Sequence, residues 1–213
     1  MLRSSYLLGA TLFGMFALKV MPLVDFSAVV WVTPVLVAAL SVFILDEKVS
    51  LSVWASVLVG MIGVWVIIGP TGLDFSLSML FPFLVALASA LYQIATRLLH
   101  RADLPVTTLF YTALAGVLFC GGFLPFAAVA PGLADARLML LLGLIGVVSH
   151  FCLIRAFAAA PANIVAPFGY TALLWATLFG RLIFEEIPGP HTLLGEGLIA
   201  GAGLFVFLHR PKT

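Results

Sequence analysis

About eight apolar stretches, each close to the length that crosses a bilayer, fill this chain almost end to end. They lie near residues 5–18, 26–45, 51–68, 75–96, 104–129, 138–157, 164–184 and 192–208. The chain is 63% hydrophobic and only 9% charged, against roughly 25% charged in soluble domains. A soluble fold of 213 residues has no interior large enough to hide so much apolar surface, so lipid is the solvent for much of it. Backbone groups in lipid must be satisfied within the chain, which leaves helix bundles or closed barrels. Stretches of about 17 to 25 residues suit helices and not the roughly ten-residue alternating strands of a barrel. The expected fold class is an all-α membrane protein of about eight transmembrane helices in a lipid bilayer.

Composition excludes several functions. The formal charge is +1, so there is no basic footprint for nucleic acid. Cys120 and Cys152 both fall inside apolar spans and read as small packing residues, not as a disulfide or metal ligands. No metal-ligand spacing, Walker glycine loop or serine elbow appears. The chain is therefore expected to be no enzyme and to need no cofactor and no metal.

The breaks between spans carry turn chemistry. Gly69-Pro70-Thr71-Gly72 and Pro131-Gly132 are reverse-turn sequences, and Pro188-Gly189-Pro190 cannot continue a helix. Residues 97–103 form the most polar connection. The first span is short, and Arg3 before an apolar core also fits a signal peptide; a helix is the preferred reading. With a cytoplasmic N-terminus and eight spans, Arg3, Lys48, Arg97, Arg101, Arg155, Arg210 and Lys212 lie at cytoplasmic ends, and Lys19, Arg137 and Arg181 at the other side. That asymmetry predicts both termini in the cytoplasm.

The second and seventh spans end alike, on Asp46-Glu47 and on Glu185-Glu186. An offset of 139 residues superimposes these ends and also Pro22 on Pro161, Ile44 on Ile183 and Trp31 on Tyr170. Other identities are lacking, so the repeat rests on pattern: a proline-containing linker, an apolar span, an acidic pair, a turn and a glycine-containing span. Five helices separate the copies, and an odd step reverses direction across the bilayer. Inverted repeats in a small helical membrane protein point to a transporter, with its site near the midplane between the halves.

Polar and aromatic residues within spans are then the candidates for substrate contact. Trp31 and Tyr170 each lie several residues into a helix, entering from opposite faces; they could flank one cavity or anchor at the interface. Pro34 interrupts a hydrogen-bond ladder and permits a kink, and Thr33 could satisfy the freed carbonyl or meet ligand. Tyr92 and Gln93 stand together near a span end, where an amide needs substrate or a neighbouring helix as partner. Trp175, near the centre of its span, suits stacking on a planar or cationic ligand as well as plain packing. His150 is titratable within a span, so proton coupling competes with a bond to a neighbouring helix. Glu196 reads as a carboxylate favoured by a helix N-terminus. Glu47 and Glu186 read as acidic groups near the N-terminus of the following helix, with gating as the alternative. Gly60 and Gly63 in one helix, and Gly195, Gly197, Gly201 and Gly203 in another, suit close helix packing.

Several segments carry a family resemblance. Ala17-Leu18-Lys19-Val20-Met21-Pro22-Leu23-Val24-Asp25, Val32-Thr33-Pro34-Val35 and Asp46-Glu47-Lys48-Val49 form one set. Arg155-Ala156-Phe157, Pro161-Ala162-Asn163-Ile164-Val165-Ala166-Pro167, Tyr170-Thr171-Ala172-Leu173-Leu174-Trp175 and Glu185-Glu186 form the other. Together they resemble the drug/metabolite transporter superfamily, in its EamA-domain branch, across nearly the whole chain. That family has ten helices as two inverted halves of five. Here the pattern is three plus five, with residues 1–70 an incomplete first repeat and 71–213 a second. A truncated reading frame, a mis-assigned start or an eight-helix variant would each produce this count. The resemblance implies a secondary transporter of small organic metabolites in the bacterial inner membrane, working by alternating access; amino-acid-like solutes are commonest and a planar vitamin such as riboflavin is an alternative. An inactive fragment, or a scaffold or assembly subunit, is the competing class, and a homodimer is an open possibility. The acidic helix ends are characteristic of the family without implying substrate contact.

Overall fold

A computed structural model describes residues 2–20, 26, 29–68, 79–99, 104–127, 130–185 and 189–208. Pro22, the 69–72 turn, Arg101, Glu186, Pro188, Arg210 and Lys212, all used above, lie outside the described residues. The regular structure described is entirely helical. In chain order it comprises α1 (Leu2–Val20), α2 (Thr33–Leu45), α3 (Leu51–Ile68), α4 (Leu80–Leu99), α5 (Pro105–Ala127), α6 (Leu133–Ala159), α7 (Ala162–Val165), a 3-10 turn (Ala166–Tyr170), α8 (Thr171–Phe184) and α9 (Pro190–Leu208). Among the described residues, four stretches are long and apolar enough to cross a membrane: Leu80–Leu99, Pro105–Gly122, Leu133–Ala159 and Ala162–Ile183.

The eight apolar stretches reappear as helices, but two are broken. In the first case residues 29–30 are helical, 31–32 form a turn, and α2 starts only at Thr33. Proline at the start of α2 explains the position, since a missing N–H costs little in a first turn. In the second case α7 tightens into the 3-10 turn around Pro167 and relaxes into α8.

Packing follows residue size. Lipid tails are as apolar as leucine, so helices meet where small residues let backbones approach. The closest pair is α3 with α9. A β-carbon built on Gly63 would lie 2.7 Å from the Gly195 carbonyl, and one on Gly195 would collide with the Gly63 carbonyl. Ser56 Oγ donates to the Ala202 carbonyl across this seam at 3.0 Å. Gly197, Gly201 and Gly203 have nothing nearby, so only part of the expected glycine stripe packs. The helix α1 lies along α4, burying Ala10, Gly14 and Ala17, with Gly14 facing Val85. Inside the bundle Val37 and Leu45 of α2, Ala90 and Ile94 of α4, Phe157 of α6 and Ala162 of α7 form one buried cluster.

By contrast, α5 beyond Thr108 and the first two-thirds of α6 bury almost nothing. Leu138 to Leu142, Leu144, Ile145, Val147 and Val148 are all exposed, as expected for a helix bathed in lipid and apolar all round. Cys120 and Cys152 also face outward as free thiols and do not fill the interior.

The first acid of each pair ends its helix with the same backbone conformation. Asp46 (φ 53°) and Glu185 (φ 56°) are the described non-glycine residues with left-handed backbone, and the offset of 139 aligns them. The amides of Asp46 and Glu47 both return to the Ser41 carbonyl, the pattern of a helix C-terminus closed by a left-handed residue. The first acid of each pair is thus a backbone stop, and after Asp46 the side chain of Glu47 is free to reach elsewhere.

Candidate functional site

Glu47 uses that freedom to cross the molecule. Its carboxylate accepts from the amides of Ala162 (3.2 Å) and Asn163 (3.4 Å) and from Asn163 Nδ2 (3.1 Å). It therefore caps the first turn of α7, satisfying donors that no earlier turn can satisfy. Arg97 Nε donates to the same carboxylate at 3.2 Å, and both side chains are close to buried. Arg97 Nη1 also donates to the Phe157 carbonyl at 2.8 Å and the Ala158 carbonyl at 3.4 Å, at the C-terminus of α6. One carboxylate and one guanidinium thus join α2, α4, α6 and α7 at the Ala160-Pro161 turn. The sequence suggested that Glu47 serves the helix that follows it; it serves one 115 residues away.

Near this tie lies a cavity of about 260 Å³ lined by Val30, Trp31, Thr33, Pro34, Ser89, Gln93, Leu153, Phe157, Val165, Ala166 and Gly169. Its walls are the two broken helices, the middle of α4 and the end of α6. Of the sequence candidates, Trp31, Thr33, Pro34 and Gln93 are brought together here.

The breaks in the two helices meet directly. Trp31 and Tyr170 pack with ring centroids 6.2 Å apart, tilted by 41°. Trp31 is half-buried and borders the cavity, whereas Tyr170 is 1% exposed. Gly60 makes room for Tyr170: a β-carbon there would lie 2.6 Å from the ring. The Tyr170 hydroxyl has no hydrogen-bond partner among the described residues. The backbone at the breaks is repaired locally. Thr33 Oγ1 donates to the Val30 carbonyl at 2.6 Å, the acceptor that Pro34 leaves without its usual amide. Thr171 Oγ1 donates to the Phe168 carbonyl at 2.7 Å.

Tyr92, His150 and Trp175 lie outside the cavity lining. Tyr92 is buried under Arg3, whose Nη2 donates to its hydroxyl at 2.7 Å and whose guanidinium carbon lies 4.7 Å from its ring centroid. Arg3 Nε and Nη1 donate to Thr96 Oγ1 (2.8 Å) and the Thr108 carbonyl (3.0 Å). Expected at a cytoplasmic end, Arg3 is 3% exposed, tolerable because neutral acceptors and a ring face surround the charge. His150 sits edge-on to Tyr92 and engages the Gly146 carbonyl of its own helix through Nδ1 at 3.0 Å, not a neighbouring helix. Trp175 is 57% exposed and stacks on Phe179 on the outer face. Glu196 lies in the second turn of α9 with Oε1 buried and unpartnered among the described residues.

Sequence reasoning overlooked Ser89 in the lining and Asn163 and Arg97 in the tie. A polar residue just after Pro161, and a basic residue one turn beyond Gln93, were the available signals.

Comparison with known proteins decides the family. A profile of the EamA-like transporter family matches residues 76–208. The chain belongs to the EamA-like transporter family. It is 28% identical over 208 residues to an S-adenosylmethionine uptake transporter of Rickettsia bellii, covering 94% of this chain and 70% of that protein. It is 30% identical over 196 residues to a riboflavin transporter of Rhizobium johnstonii, covering 92% of this chain and 65% of that protein. A solved crystal structure shares the fold, with a TM-score of 0.82 over 97% of this chain and 76% of the other, at 21% identity. As an EamA-like protein with spanning apolar helices, the chain is a multi-pass membrane protein.

Proposed function

We propose that this EamA-like chain is a secondary transporter of small organic metabolites in the bacterial inner membrane, moving them by alternating access through the cavity at Trp31. The observation that carries this reading is the meeting of two broken helices, aligned by the 139-residue offset, at the wall of one cavity. Broken helices facing each other at the interface of two repeats are where transporters of this kind hold substrate, because irregular backbone is tolerated only where it lines a cavity. The two halves are residues 1–70 and 71–213, inverted relative to each other, with both termini cytoplasmic. Membership of a transporter family, and relatives named for S-adenosylmethionine and riboflavin, support a metabolite as cargo.

In this mechanism the Glu47–Arg97 tie is a gate. Glu47 belongs to the first half, and Arg97 and the α6–α7 turn to the second. Moving one half against the other at this end must separate the carboxylate from the amides of α7. A few charge-assisted hydrogen bonds, each of about 1.5–3 kcal/mol in net worth, are strong enough to define a closed state and weak enough to be offset by substrate binding. The orphaned Tyr170 hydroxyl favours motion too, since an arrangement that gives it a partner recovers part of its desolvation cost. Substrate contact is assigned to Trp31, Gln93, Thr33 and Ser89, with Pro34 shaping the wall and Tyr170 backing Trp31.

Counterflow in proteoliposomes over a panel of amino acids, nucleosides and vitamins tests the proposal. Saturable exchange of at least one solute is expected. Folded protein that exchanges none of them would be a scaffold or inactive subunit instead.

A further inference from the structure

The lining of the cavity is unusual in what it offers a ligand. Trp31, Phe157, Leu153, Val30, Val165 and Pro34 make it largely apolar, and among the described residues no ionised side chain lines it. The nearest cation along α4, Arg97, is occupied by Glu47 and two carbonyls. A charged ammonium or carboxylate placed here would lose its water without gaining a counter-charge. That disfavours small zwitterions as the part of the cargo bound at this spot.

The polar groups present have a definite arrangement. Ser89 and Gln93 are four residues apart on α4, so they stand one above the other on one face. Neither side chain makes a hydrogen bond among the described residues. Thr33 has given its proton to the Val30 carbonyl and can only accept. Gln93 is thus the group able both to donate and to accept from one planar amide. Such an amide pairs bidentately with a donor and an acceptor side by side on a ring, as glutamine does with the amino and N7 edge of adenine. Trp31, in the same lining, supplies an aromatic surface on which a flat ring stacks.

We infer that the cavity binds a planar nitrogen heteroaromatic ring carrying adjacent hydrogen-bond donor and acceptor groups, with Gln93 reading that edge and Trp31 stacking on the ring. The inference rests on the transport reading above but concerns recognition. Adenine carries such an edge, and so does the pyrimidinedione end of a flavin ring. Gln93 is the specificity-determining residue and Ser89 its neighbour for a ring substituent.

Equilibrium dialysis of the purified full chain with radiolabelled adenosine tests this, with purine riboside, which lacks the 6-amino donor, as competitor beside unlabelled adenosine and riboflavin. Adenosine should bind, riboflavin should compete, and purine riboside should compete roughly 5- to 150-fold less well, the span expected for one bidentate contact. Gln93→Leu should erase the difference between adenosine and purine riboside. Gln93→Met, close in shape but with neither the amide's donor nor its acceptor, should do the same if the leucine variant fails to fold. Equal binding of the two nucleosides by the parent protein, no adenosine binding, or an unchanged preference in both variants overturns the inference. Leucine counterflow without adenosine binding would leave the transporter reading standing while removing this one. Adenosine binding without flux of any solute would do the reverse.

Discussion

The two broken helices solve one problem at different depths. In the first, the break falls at Trp31–Val32, Pro34 removes an amide, and Thr33 repairs the orphaned Val30 carbonyl. In the second, the chain tightens over Ala166–Tyr170, and Thr171 repairs the Phe168 carbonyl. Both repairs reach back three residues, but under the 139-residue offset they sit one residue out of register. The aromatic residues at the breaks differ more. Trp31 borders the cavity half-exposed, while Tyr170 is sealed between Trp31 and Gly60 with its hydroxyl unpartnered. A shared backbone device therefore sets one ring at the cavity wall and the other behind it. The first turn of α7 is held by Glu47; the positions that the offset makes equivalent, residues 23, 24 and 186, lie outside the described residues.

The largest effect is expected from Glu47→Ala. It leaves Arg97 near-buried without its partner and uncaps α7, costing about 3–5 kcal/mol by analogy with other broken buried pairs. A thermal melt in detergent reads this directly; an unchanged midpoint would mean that the tie is incidental to the second broken helix. Next is Gly60→Ala, whose new methyl overlaps the Tyr170 ring. Overpacking of this kind costs about 1–3 kcal/mol, and the displaced ring should disturb Trp31 and lower flux as well. Loss of stability without loss of flux would separate Tyr170 from the cavity.

A sharper contrast comes from Tyr170→Phe. Removing a buried hydroxyl that lacks a partner should leave stability unchanged or raise it by about 1 kcal/mol; a marked loss would show that the hydroxyl has a partner in another state of the cycle. The smallest effect belongs to Asp46→Gly and Glu185→Gly. Both positions are left-handed, where glycine carries no steric penalty. Each should change stability by no more than about 1 kcal/mol, and by similar amounts. Opposite signs would show that the two helix stops are not equivalent.

Much of this was legible in the sequence, and the reason is local. Apolar runs, proline turns and the acidic ends are properties of short windows, so the eight helices could be placed from them. The fixed offset also paired Trp31 with Tyr170 before any contact was known, and the Thr33–Pro34 pair foretold which carbonyl needs repair. The rest depends on partners far apart in the chain. Nothing near Glu47 says that it caps Ala162, and nothing near Arg3 says that Thr96, Tyr92 and Thr108 enclose it. Tyr92 and Trp175 share the local pattern of Trp31, an aromatic in a span, yet one packs against Arg3 and the other lies on the outer face. Only the face it occupies distinguishes these, and that is set by tertiary packing.

The central claim is that solute passes through the cavity between the two broken helices. Counterflow of adenosine, S-adenosylmethionine and riboflavin in proteoliposomes, comparing the parent chain with Trp31→Ala at equal amounts of folded protein, tests it most directly. Exchange by the parent, reduced about 5-fold or more in the variant, as loss of a stacking contact of roughly 1–3 kcal/mol implies, is the predicted result. Equal exchange by both proteins would contradict the account.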